Sequence, residues 1–201
     1  MLKTGMLERM DSLRDGGEME KQMDLRRQAD EIFDAYNCYP GEGERNHCLR
    51  LVEFALLHAQ HMGKEVDQDL IYLAAMLHDL GLMVTSRPGT SYLTRTVEIA
   101  QKELDGTGLD EDSWRILEDC LLYNHSVKSL RSHDPASESF RRAVFTEHTR
   151  GVWKFGLRRE EVRRVFRQVP YDNFAAVLAD FVWKTSLFEP KTIPQIFIPN
   201  I

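Results

Sequence analysis

Cysteine is scarce in this chain. Its 201 residues include three, Cys38, Cys48 and Cys120. The number is odd, the spacing is wide and no Cys-x-x-Cys pair occurs, which argues against a disulfide framework or a thiolate zinc site. Long apolar runs are missing too. Nothing approaches the roughly 18 consecutive apolar residues that a spanning helix needs. The opening MLKTGMLERMDSLRDGGEMEK is polar, carries both charge signs and lacks the apolar stretch of a signal peptide. These absences lead us to expect a soluble, cytoplasmic protein with no membrane partner. Excess basic charge is absent as well: the net charge is −6. That balance argues against nucleic acid as a partner, but leaves room for a small anionic ligand held by local arginines. Alternating β-branched runs and Asn-Gly hairpin signals are lacking, as are internal repeats and low-complexity tracts.

What is present is helical periodicity. Hydrophobic residues make up 42% and charged residues 29% of the chain, ordinary for one globular domain. Residues 1–20 read as an N-terminal extension broken at Gly16-Gly17. A helical domain follows over 21–188, and 189–201 is a proline-containing tail. The spacing predicts helices over about 21–36, 44–62, 67–79, 92–104, 111–124, 137–155, 158–168 and 171–188, with loops at 84–91 and 126–136. The fold class is therefore all-α.

The adjacent pair His78-Asp79 is the most informative feature. It ends an apolar helix in LAAMLHDLGL. A charged aspartate there is costly to bury without a partner. Imidazole beside carboxylate suits a divalent cation such as Fe, Mn, Zn, Ni or Co. Neighbours on a helix diverge by about 100°, so both can face one ion only near the helix end, where Gly81 follows. A further ligand must come from another element. His47, opening the second helix in ERNHCLRLVEFA, is the candidate, because an antiparallel helix pair would bring it to His78. The two imidazoles are then expected within about 6 Å of each other, roughly the span set by two metal–nitrogen bonds.

His47 followed by His78-Asp79 after LAAML resembles the HD-domain superfamily, whose signature is H…HD…D. The resemblance covers roughly residues 43–155 and implies a helical bundle, a divalent metal, and metal-activated water attacking a phosphoester. Arg50, three residues after His47, also fits the pattern and is expected to contact substrate. A narrower likeness is to the branch that includes cyanamide hydratase, in which a further histidine occurs in a context like YNHSVKS. His125 matches that position, which implies a catalytic role at the leaving group. The resemblance breaks at Ala143-Val144, where the family has Ala-Asp. Phe140, Val144, Glu147 and Gly151 form one helical stripe, so Glu147 is expected to point inward and replace the missing ligand.

Other candidates are weaker. Arg87, in the loop after the metal pair, is a second expected substrate contact. His58 and His61 lie too far along their helix to share the metal of His47. His133 reads as exposed, Asp180 as lying on a polar face, and FGLRREEVRRVFRQ as a solvated face. The expected activity is hydrolysis of a nucleotide or other small phosphoester. A hydratase or di-iron oxygenase on the same scaffold is one alternative. The other is a non-catalytic domain binding a ligand or partner, with the two extensions as docking segments. A homo-oligomer is left open.

Overall fold

The computed structural model describes residues 25–85, 89–130 and 132–188. The N-terminal extension, Arg87 and the tail from 189 lie outside the described residues. All regular structure among them is helical. Helix α1 covers 25–36. It is followed by α2 (Gly43–His61), α3 (Gln68–Leu77), α4 (Leu80–Met83) and α5 (Tyr92–Glu103). Helices α6 (Glu111–Tyr123), α7 (Pro135–His148), α8 (Arg159–Gln168) and α9 (Phe174–Phe188) complete the order. None of them is long and apolar enough to cross a membrane.

The helix starts are written in capping residues. Asp67 accepts from the amides of Asp69 and Leu70, Ser91 from that of Thr94, and Asp110 from that of Ser113. Asp134 caps α7 through Ala136, with Pro135 in the first turn, where its missing N–H costs nothing. Helix α7 stops at His148 rather than running to about residue 155. Arg150 and Gly151 have φ of 50° and 80°, and the Gly151 amide reaches back to Thr146 O at 2.7 Å. This left-handed closure ends the helix despite apolar residues beyond it.

Helices α2 and α7 form the central pair. Leu51, Phe54 and Ala55 on α2 join Phe140, Ala143 and Val144 on α7, with Leu73 and Leu77 of α3 and Leu117 of α6, in one buried core. His58 belongs to this packing: it is fully buried, with Nε2 2.9 Å from Thr146 Oγ1. A smaller apolar cluster, Phe174, Val177 and Phe181, seats α9 beside it. The cysteines are free, Cys38 exposed and Cys48 and Cys120 buried.

The loop after His125 is tied down by a buried ionic knot. Glu138 accepts from the Leu130 amide at 2.7 Å, Arg141 Nε at 2.9 Å and Arg142 Nε at 2.7 Å. Burial would push its carboxyl up, but these donors outweigh it and hold it at about 2. A folded-state value below the ordinary one means that the knot stabilises fully above about pH 4.5 and is lost towards pH 2. Glu138→Gln should therefore lower stability at pH 7 by about 3 kcal/mol, because two arginines lose a buried partner. Urea denaturation at pH 7 and pH 3 tests this. The deficit should shrink in acid, and an equal deficit at both would show that the knot does not titrate.

Candidate metal centre

The centre forms where α3 breaks. His78 ends α3 with helical backbone angles, while Asp79 turns out of the helix at φ −109° and ψ 6° before α4 begins. That break lets adjacent side chains face one point, with His78 Nε2 3.0 Å from Asp79 Oδ2. Gly81 is what allows it. A Cβ there would meet Tyr92 O at 2.0 Å and Thr96 Oγ1 at 2.7 Å, so only glycine lets α4 lie against α5.

Helix α2 brings His47 to the same point. Its Nε2 lies 3.3 Å from His78 Nε2, well inside the 6 Å set by the sequence argument. Phe174 stacks on the His47 ring at 4.1 Å between centroids. The stacking depends on Gly43, where a Cβ would meet Phe174 N at 2.5 Å. His47, His78 and Asp79 each offer a ligand atom within 4.8 Å of the others, and all three are buried.

The ring orientations favour a cation. His78 Nδ1 donates to Ala75 O at 2.8 Å, turning Nε2 towards the centre. His47 Nδ1 lies 3.2 Å from Glu147 Oε2, although not aligned as a hydrogen bond, and the adjacent negative charge favours a proton on that nitrogen. Both Nε2 atoms are thus presented as ligands, the arrangement by which outer partners orient metal-binding histidines. Burial alone would lower His78, but Asp79 beside it raises the ring to about 9. Asp79 itself is driven below the ordinary carboxylate range, because His78 outweighs the effect of burial. His47 falls to about 4, chiefly through burial. Asp79 Oδ1 is buried there with no hydrogen-bond partner among the described residues. The residues present therefore fit a divalent metal.

A match to the HD domain family covers residues 45–164. The chain belongs to the HD domain family. No curated protein and no solved structure matches it. The all-helical architecture is that of an HD-domain bundle.

The remaining residues show how this HD domain departs from the expectation. Glu147 points inward and is fully buried, but it does not stand before His78 and Asp79. It groups instead with His47 and His148. Arg50 causes this by clamping Glu147 Oε1 through Nε at 2.9 Å and Nη2 at 2.7 Å, leaving Oε2 beside His47. Glu147 is thus held beside His47 and, with His47 and His148, belongs to a second group of side chains that could hold a metal ion. The expected substrate role of Arg50 is corrected. Its guanidinium is fully buried, bonded to Glu147 and to Pro170 O, and lies over the Tyr171 ring.

Val144, where the resemblance leads one to expect aspartate, lines a cavity of about 490 Å³ together with Asp79, His125 and His148. His125 Nδ1 lies 2.5 Å from Asn124 Oδ1. Burial, reinforced by His148, lowers His125 to about 3, so it is neutral at pH 7. His148 was not singled out from the sequence. Its ring lies 5.2 Å from both His47 and His125, and Nδ1 contacts Val144 O at 2.9 Å. The signal was its place one helical turn after Val144. A second missed residue is Glu44, one turn before His47 and 1% exposed. Burial, with the charge of Asp79 adding to it, raises its carboxyl well above the ordinary range.

His133 is exposed and pairs with Asp119. Asp180 pairs with Tyr39 and Lys184. The arginines of α8 are solvated.

Proposed function

We propose that this HD domain is a metal-dependent hydrolase whose substrate is small and largely uncharged. His47, His78 and Asp79 hold the cation. A bound divalent metal would supply Lewis acidity, making water nucleophilic near neutral pH and polarising the bond under attack. Glu147, held by Arg50, keeps the His47 ring facing inward. His125 is neutral, with a hydrogen on Nδ1 directed at Asn124. It is therefore suited to accepting a hydrogen bond at Nε2 rather than donating a proton. Of the two leaving-group roles the resemblance implies, stabilising or protonating, this favours stabilising.

The observation that carries the substrate class is the cavity wall. Opposite the polar edge of Asp79, His125 and His148 it is lined by side chains such as Tyr92, Phe145, Trp153 and Phe181. No lysine or arginine is among the described residues that line it. A phosphoester would bring at least one negative charge into this wall without a compensating cation. The family supports the phosphoester reading, which would call on Arg87 as the missing cation.

Matched substrates separate the two readings. Metal-loaded protein should hydrolyse p-nitrophenyl acetate at least about tenfold faster, per kcat/KM, than p-nitrophenyl phosphate, a difference of about 1.4 kcal/mol at the transition state. His78→Ala should abolish that turnover. Faster release from the phosphate ester would overturn the uncharged-substrate reading. Loss of neither activity in His78→Ala would overturn the metal-dependent one.

A further inference from the structure

Glu44 has no role in the chemistry described so far, yet its placement demands one. It sits in the first turn of α2, three residues before His47, and therefore on the same helix face. Its side chain is buried, and neither carboxylate oxygen has a hydrogen-bond partner among the described residues. Native proteins rarely leave both oxygens of a buried carboxylate unsatisfied, and such a group calls for a ligand, ion or water. The charges that act on it belong to Asp79, His78, Glu147 and Arg50, the residues in and around the metal centre. Arg50, the cation among them, is already bonded to Glu147 and Pro170 O. Glu44 is not in the group of three whose ligand atoms converge within 4.8 Å, which leaves it outside the immediate ligand set.

We propose that Glu44 is the second acidic group of the metal centre, supplying from α2 the negative charge that Val144 does not supply from α7. It raises affinity for a divalent cation from the outer shell and is left uncompensated in the protein without one. A purely packing residue at this position would have no reason to be ionisable. This inference rests on His47, His78 and Asp79 being the primary ligands, and the test keeps the two claims apart.

The full-length chain is stripped with chelator and titrated with Mn²⁺ by calorimetry, and thermal unfolding is followed with and without the ion. Glu44→Gln should bind Mn²⁺ about 10–100-fold more weakly, the usual effect of losing an outer-shell partner. It should also unfold at a higher temperature than the wild type when stripped, because a neutral amide is easier to bury than an unpaired carboxylate. The stabilisation by Mn²⁺ should shrink accordingly. Glu44→Asp, which retains the charge but retracts it, should bind with intermediate affinity and serves as the test if Glu44→Gln does not fold. Affinity unchanged from wild type in either folded variant would overturn the role of Glu44 while leaving the primary site intact. A wild type that takes up no Mn²⁺, or a His78→Ala variant that takes up as much as wild type, would instead overturn the primary site and this inference with it.

Discussion

His78→Ala should purify without a bound divalent cation. His78 contributes one of three converging ligand atoms, and its Nε2 stands between His47 and Asp79 at 3.3 and 3.0 Å. Removing it leaves two ligand atoms from residues that no longer share a common neighbour. The loss in affinity should exceed the roughly 10–100-fold that follows removal of an outer-shell partner. The variant should also be less stable than wild type, because Asp79 is buried and His78 is its ion-pair partner. Elemental analysis beside wild type, with circular dichroism to confirm helix content, measures this. Equal metal content in a folded variant would remove the site.

The second large effect belongs to Arg50. It heads the largest fully buried side chains, and its guanidinium holds Glu147 with two hydrogen bonds while lying over Tyr171. Arg50→Leu leaves Glu147 buried without its cation, which should cost about 3–5 kcal/mol in chemical denaturation. Glu147 would also be released from its position beside His47 Nδ1, so metal affinity should fall by about 10–100-fold. The paired variant Arg50→Leu, Glu147→Leu should recover much of the stability, since no charge is then stranded. It should not recover metal affinity, because the His47 ring has lost its orienting group. A double variant as unstable as the single one would show that packing of the arginine, rather than its charge, is what matters.

Glu147 shows what helical spacing carries and what it does not. Its inward direction followed from helical spacing, since it lies on the stripe of Phe140 and Val144. Which atom it meets depends on Arg50, which is 97 residues away and on another helix. No periodicity carries that information. The same holds for Arg50, expected to contact substrate because it fits the family pattern three residues after His47. Only the approach of Pro170 and Tyr171 closes it off. His148 and Glu44 were both within one turn of a residue already under consideration. Their burial around the centre became visible only when α2, α7 and the α3 break were assembled.

By itself the sequence determined the local features: the all-helical class, most helix boundaries through their capping aspartates and glycines, the His78-Asp79 pair and the inward face of α2 carrying His47. Each depends on a few neighbouring residues and on the 3.6-residue period, so each can be read along the chain. Tertiary structure alone decided that Arg50 clamps Glu147 beside His47, that Arg50 is internal, and that the cavity beside Val144 has an apolar wall. Those properties arise from side chains brought together across long sequence separations, where burial and charge are set by the whole assembly rather than by any one segment.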